Sequence, residues 1–404
     1  MYVDYLIDGG YKDTEKDEID IFKDIMGDKD ITKEDLDNFN NILEQYNKKI
    51  IGITSVEDLK KIGSDPAYPL NGLYIQLNDI SFNESDIMEP IGSMEEQFEG
   101  IYDGNAKKIE NLKLNNEEEN IGIFSVNKGK IKNVNVENVN INVAYSRVGT
   151  IAGANYGTII NCTTNNGSIN STGDNDGSRI GGIVGQNGEQ GQNGDIINCT
   201  NNINVSAEYK LVGGIAGYSL GGNIENCKNY GEITGPVQVG GIAGDSEGLS
   251  ENSIVTVKDC ANYAKVTGNG SLNYEGSIGG IVGTNYLYSV LENNINKGSI
   301  VSNTSTVGGI VGSNFYKVKK CTNNGVLQAI YSQDIPIQRH FGGILGTNSG
   351  YVENCVNTAK IEGVTNNTDF IGGISGVSYG FSDLKVEEGV KIEKCYNTGE
   401  IIGN

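Results

Sequence analysis

The chain has 404 residues and a formal charge of −22, with 37% apolar residues, 57 glycines and no tryptophan, a composition that suits a thin, turn-rich β architecture better than a compact enzyme with aromatic layers. The acid sits at the front: residues 1–120 hold 29 Asp or Glu against 12 Lys or Arg, and the remainder 23 against 18. Such a field, without a basic stripe, argues against nucleic acid and anionic membrane surfaces as partners.

No run approaches the roughly 18 apolar residues of a membrane span, so no membrane insertion is expected. The start, MYVDYLIDGG, has neither the basic region nor the apolar run of a secretion signal. A surface-protein fragment and a virion protein released by lysis both fit that start.

Residues 1–50 read as an acidic helical appendage. Ile19, Phe22 and Ile25 or Met26 recur at helical spacing between Glu15 and Met26, and Leu36, Phe39, Ile42 or Leu43 and Tyr46 do so from Thr32 to Tyr46. Between them, DIMGDKDITKED runs from Asp24 to Asp35 and resembles one half of a dockerin, a calcium-loop module. The resemblance implies calcium held by Asp24, Asp28 and Asp35, with Asp30 supplying a carbonyl. Met26 stands where an oxygen ligand belongs and Lys29 replaces the turn glycine, so a solvated, acidic helix-turn-helix is the competing reading. No other cofactor is expected.

Residues 51–120 read as the solenoid's N-terminal cap and first coil. Ser55 can cap a helix with Val56, Leu59 and Ile62 on one face, placed to cover the open end of a repeat array. Extended segments follow, separated by Asn-Gly and Asp-Gly turns.

From residue 121 to 404 the chain repeats. GTIAG at Gly149, GGIVG at Gly181, GGIAG at Gly213 and Gly240, GGIVG at Gly279 and Gly308, GGILG at Gly342 and GGISG at Gly372 recur 27 to 39 residues apart. Each unit cannot bury its apolar face alone and stands only when stacked on neighbours. The order of EDL helix, LYIQLNDI strand, PIGS, FEGIYDGN, GIFS at Gly122 and then GG-I-x-G followed by I-x-N-C-x-N resembles the GLUG-motif β-helices. These occur in bacterial surface proteins, including N-terminal regions of immunoglobulin A protease-type metallopeptidases. The resemblance implies an all-β fold, a right-handed parallel β-helix of about eight or nine coils with a small helical N-terminal appendage and capping helix.

Stacking converts repeat positions into columns. Cys162, Cys199, Cys227, Cys260, Cys321, Cys355 and Cys395 share one slot, with Asn294 filling it where Cys is lacking. Spaced one strand apart, about 4.8 Å, with parallel side chains, they read as buried thiols rather than disulfides or a zinc site. Two residues further on is an Asn column interrupted by Thr164, and two past each glycine block an Asn or Ser column, both expected to hydrogen-bond along the axis.

Chemistry is sparse. His340 is the only histidine, in a loop-like insertion, and a lone His builds neither a zinc site nor a triad. The acid pairs Asp174/Asp176, Asp245/Glu247 and Glu387/Glu388 fall in expected turns and read as solvated. The stronger signal is aromatic: Tyr156, Tyr286, Phe315 and Tyr379 lie three positions beyond glycine blocks, where they either cover a corner of the core or stack on sugar rings. The expected function is a non-enzymatic, extracellular surface scaffold presenting a recognition face to glycans or to host or bacterial cell-surface proteins. A phage tail fibre or tail-tip component, assembled with other subunits, and a glycan-cleaving β-helix enzyme are the alternatives. The repeat runs to IIGN without an evident C-terminal cap.

Overall fold

A computed structural model describes residues 16–27, 29–44, 48–114, 119–144, 147–172, 177–270, 276–330, 338–363, 369–379 and 389–403. Its body is a parallel β-solenoid of about nine turns. Sheet I holds twelve strands, from Ile50–Ile53 to Lys391–Glu393. Sheet II holds nine, from Asn120–Ile121 to Phe370–Gly372, and sheet III nine, from Phe124–Asn127 to Ser375–Ser378. Sheet IV begins at Ile80–Ser81 and runs to Ile401–Gly403. One coil visits the sheets in the order II, III, I, IV, as in Arg179–Gly181, Val184–Asn187, Asp195–Ile197 and Thr200–Ala207.

Because coils stack in register, like residues meet like. Ile159, Ile196, Ile224, Val257, Leu291 and Val318 pair in succession along sheet I, all buried. Ile183, Ile215, Ile242, Ile281, Ile310 and Ile344 form a second fully buried stack. Each such side chain contributes about 1.5–3 kcal/mol on leaving water.

The polar columns are internal struts. Nδ2 of Asn201 donates to Oδ1 of Asn229, Asn229 to Asn262, and Asn262 to Asn296, at 2.8–2.9 Å. Each also caps a carbonyl two residues on, as Asn229 does with Gly231 at 2.9 Å. The second column runs Asn127, Asn155, Asn187 and, further along, Asn285, Asn314, Asn348.

In the cysteine slot, the backbone N–H of Cys162, Cys199 and Cys227 donates to the next coil's sulfur at 3.4 Å. Asn294 can replace Cys because its Oδ1 accepts the same bond, from Cys260 N–H at 2.9 Å. The thiols are free, and burial pushes those of Cys162 and Cys227 well up, so they act as donors and weak acceptors. The residue before the slot takes the left-handed conformation, φ 56° at Asn161 and 55° at Asn198, which asparagine tolerates better than most residues.

Helix α1 (Glu18–Met26) and helix α2 (Lys33–Leu43) are each started by a reciprocal capping box, Asp17 with Asp20 and Thr32 with Asp35. They lie against the outer side of sheet I, where Ile19, Phe22, Leu36, Phe39 and Leu43 join Ile50, Ile75 and Leu77 in one cluster. Helix α3 (Val56–Lys61) is capped by Ser55, whose Oγ accepts from Asp58 N–H at 3.2 Å. Val56, Leu59 and Ile62 enter the main core, close to the ring cluster of Tyr74, Phe98, Tyr102 and Phe124.

Candidate functional site

Two long surfaces carry distinctive side chains. The first is a seam where sheets II and III meet. The last glycine of each block makes it possible: a Cβ on Gly185 would sit 2.4 Å from the Val148 nitrogen, and one on Gly217 2.3 Å from the Ile180 nitrogen. Beyond that contact the outward side chains face each other. Arg179 donates to Gln186 Oε1 at 2.8 Å and lies 5.4 Å from the Tyr218 ring. Gln238 donates to the Tyr286 hydroxyl at 3.3 Å, and Ser277 to Ser313 at 2.9 Å.

The four aromatics picked from the sequence all lie near this seam, in different settings. Tyr286 and Phe315 are brought together, half-buried, with parallel rings 5.6 Å apart at 7°. Burial pushes the Tyr286 phenol up to about 12. Tyr379 is 41% exposed, edge-on to His340 at 6.1 Å. Tyr156 is a correction to the expectation: only 5% exposed, it is enclosed with Met94, Val126 and Ala154, and its hydroxyl donates to Glu189, so it has no ring face to offer a sugar.

Two further readings change. Asp245 and Glu247 do not lie in a solvated turn; they sit on one face of the strand Ala243–Glu247, and Asp245 is only 4% exposed. Its Oδ1 has no hydrogen-bond partner, while Glu247 accepts from the Tyr218 hydroxyl. Burial drives the Asp245 carboxyl well above the usual carboxylate range. His340 begins the strand His340–Gly342 rather than standing in a loop, with its ring 5.7 Å from Phe370. Asp174, Asp176, Glu387 and Glu388 lie outside the described residues.

Three carboxylates of the dockerin-like segment are described, each with its own partner. Asp24 is exposed and paired with Lys16 at 2.5 Å, and Asp30 is exposed and paired with Lys107 at 3.0 Å. The Asp35 carboxylate is engaged by Thr32, from N–H at 3.0 Å and Oγ1 at 2.6 Å, as the cap of α2. These hydrogen bonds hold the Asp35 carboxyl below its ordinary value. Asp28 lies outside the described residues, among which no three metal-ligating side chains cluster. The Asp24 and Asp35 carboxylates thus have partners of their own here, and the carbonyl that the resemblance assigns to Asp30 is independent of its side-chain ion pair.

The second surface is the open outer side of sheet IV, which the sequence reading passed over. Its three widest strands are Asn135–Val143, Thr163–Ser171 and Thr200–Ala207. Their outward amides and hydroxyls hydrogen-bond from coil to coil: Asn202 to Asn165 and Asn165 to Asn135, both at 2.8 Å, Asn170 to Asn142 at 3.0 Å, and Ser206 to Asn170 at 2.7 Å. On the next two coils the residue after each buried column asparagine is Tyr230 or Tyr263. These are 47% and 36% exposed, with rings parallel at 6° and 4.6 Å apart. Lys297 lies 5.0 Å over Tyr263. The available signal was alternation: a residue following an inward Asn must point outward.

The family model described as the GLUG motif matches residues 176–206 and 208–234. Each spans one full coil, Arg179–Gly181 to Thr200–Ala207 and Leu211–Gly213 to Ile233–Gly235. The later coils repeat the geometry of these two in register, Gly213 pairing with Gly240 and Gly240 with Gly279. Among solved structures, the chain is similar to a "putative immunoglobulin A1 protease" from Bacteroides ovatus at 18% identity and a TM-score of 0.42, over 82% of this chain and 84% of that one. No curated protein matches the chain.

Proposed function

We propose that this chain is an extracellular surface scaffold that presents a recognition face to glycans and performs no chemistry itself. The observation that carries this reading is the Tyr230–Tyr263 pair, two large rings left exposed on a face of hydrogen-bonding amides. Sugars have apolar ring faces and hydroxyl rims, and that combination is what they require. The GLUG coils and their internal amide ladders support a rigid carrier role, since they hold distant surface positions at fixed spacing. No helix among the described residues is long and apolar enough to cross a membrane.

The test is retention on immobilised cell walls, host glycans and mucins. Saturable retention by the wild-type chain, lost in Tyr230→Ala/Tyr263→Ala and kept in Tyr286→Ala/Phe315→Ala, is the expected result. Loss only in the second variant moves recognition to the seam, and no retention anywhere sinks the reading.

One observation favours a second reading, glycan cleavage within the seam: Asp245 and Glu247 share a strand face but sit in different surroundings, as acid and base partners do. New reducing ends or unsaturated products, abolished in Asp245→Asn, would establish it.

A further inference from the structure

We infer that Arg147 and Arg179, on adjacent coils at the seam of sheets II and III, form a binding site for the carboxylate of an acidic saccharide lying along that seam. The site is separate from the Tyr230–Tyr263 face, and either can fail without the other.

Arginine is scarce in this chain, with three among 404 residues. Arg339 is buried and paired with Asp369 at 2.5 Å. The other two are neighbours: Arg147 and Arg179 are register partners in the parallel strands Arg147–Val148 and Arg179–Gly181, about 4.8 Å apart along the axis. Like charges placed side by side destabilise a sheet. Although the chain carries a net charge of −22, no carboxylate among the described residues forms an ion pair with either of them.

Most of their hydrogen-bonding capacity is unspent. A guanidinium has five N–H donors. Arg179 spends one on Gln186 at 2.8 Å. Arg147 spends one on the Met94 sulfur at 3.8 Å, a weak acceptor, and its Nε is enclosed without a partner. Both side chains are part-exposed, and burial first, then the charge of Arg147, holds the Arg179 guanidinium below its ordinary value. Glu189 is the carboxylate whose charge acts most on Arg179, and it is taken by the Tyr156 hydroxyl, as Glu247 is by that of Tyr218. An incoming carboxylate offers two oxygens to the guanidinium forks and offsets the repulsion between them.

The backbone around the pair selects a saccharide over a peptide. An extended peptide docks by adding itself to a free strand edge, but both edges of Arg179–Gly181 and of Val184–Asn187 are taken by neighbouring coils. The seam therefore offers side chains alone. Further along it, Gln238, Ser313 and Thr347 are part-exposed and uncharged, amide and hydroxyl groups of the kind that sugar hydroxyls pair with. Asp245 stands in the same row, and its raised carboxyl keeps its proton, so it adds no charge against an anion.

Affinity electrophoresis of the full chain in gels containing polygalacturonate, its methyl ester, alginate or poly-glutamate, each at low and high salt, tests the inference. The expected result is retardation by polygalacturonate or alginate but not by the ester, weakened by salt and weakened about tenfold by Arg147→Gln or Arg179→Gln. Lys265→Gln, exposed beside the sheet IV strand Val266–Gly268, is expected to change nothing. The arginine variants remove a repulsion and are expected to match the wild-type Tm, and the comparison of acid with ester needs no variant. Equal retardation by the ester, or no effect of salt, overturns the carboxylate assignment. Binding unchanged in both arginine variants, or lost only in Lys265→Gln, overturns the site. Poly-glutamate held as strongly as polygalacturonate overturns the saccharide class, and no retardation by either acidic polysaccharide removes the proposal.

Discussion

Lys132 places its ammonium 2.8 Å from both carboxylate oxygens of Asp17, with the two side chains only 5% and 8% exposed. The pair joins the cap of α1 to the fourth strand of sheet I, and Asp20 at 2.6 Å and Asp103 at 3.7 Å complete it. Replacing Lys132 by Met leaves buried carboxylates without their cation, a class of change that costs about 3–5 kcal/mol. We expect Lys132→Met to lower Tm and to expose the N-terminal helices to protease before the solenoid coils. Simultaneous loss of both would show that helices and solenoid unfold as one unit.

The same pair makes a pH prediction. Lys132 holds the Asp17 carboxyl below its ordinary 3.8, against a burial effect that raises it. A group depressed in the folded state contributes stability above its unfolded value and loses it as pH falls through the folded one. Wild-type stability should therefore drop below about pH 4, and Asp17→Asn should flatten that drop. An unchanged acid limb in the variant would remove Asp17 from the account.

Asp245 predicts the opposite slope. Its folded carboxyl titrates above the free one, so the folded state keeps a proton that the unfolded chain releases above about pH 4, and stability falls as pH rises from there. Asp245→Asn should raise stability by roughly 1–3 kcal/mol near neutrality and have little effect at acid pH. A gain of equal size at both pH values would mean that titration of Asp245 is not its source.

In the cysteine column, Cys199 Sγ accepts the Cys162 N–H at 3.4 Å and donates to Ile197 O at 3.3 Å. Cys199→Ala leaves a buried N–H unpaired and is expected to cost about 1–3 kcal/mol in denaturant unfolding. Cys199→Asn should recover part of that loss, because Asn294 already fills the slot in this way. Equal loss in both variants would assign the effect to packing volume.

Lys320 adopts φ 53° in the column that asparagine fills at Asn161, Asn198, Asn226, Asn293 and Asn354. Lys320→Asn should raise Tm by about 1–2 °C, because asparagine tolerates the left-handed region at lower cost. The ion pair lost with Glu292, 2.8 Å long and largely exposed, contributes little against this. A fall in Tm would reverse that weighting.

Repetition made the architecture legible in the sequence. A side chain that must meet its own copy one coil away has few choices, so glycine blocks, isoleucine stacks, asparagine ladders and the Cys slot with its Asn294 substitute could all be read as columns. Helix α3 was legible for a related reason: Ser55 and the spacing of Val56, Leu59 and Ile62 are local signals.

What happens between sheets was decided only by tertiary structure. Asp245 follows a glycine block exactly as an exposed turn residue would, yet the approach of sheet II to sheet III buries it. Tyr156 is enclosed by Met94, Val126 and Ala154, while Tyr286 and Phe315 are left half-buried. Asp24, Asp30 and Asp35 are close in sequence, but only the structure shows that Lys16, Lys107 and Thr32 are their partners. Tyr230 and Tyr263 lie 33 residues apart in sequence and became one surface only when adjacent coils brought their rings to 4.6 Å. Alternation along a strand tells which side a residue faces, whereas the cover on that side depends on how sheets meet and which coil lies next to it.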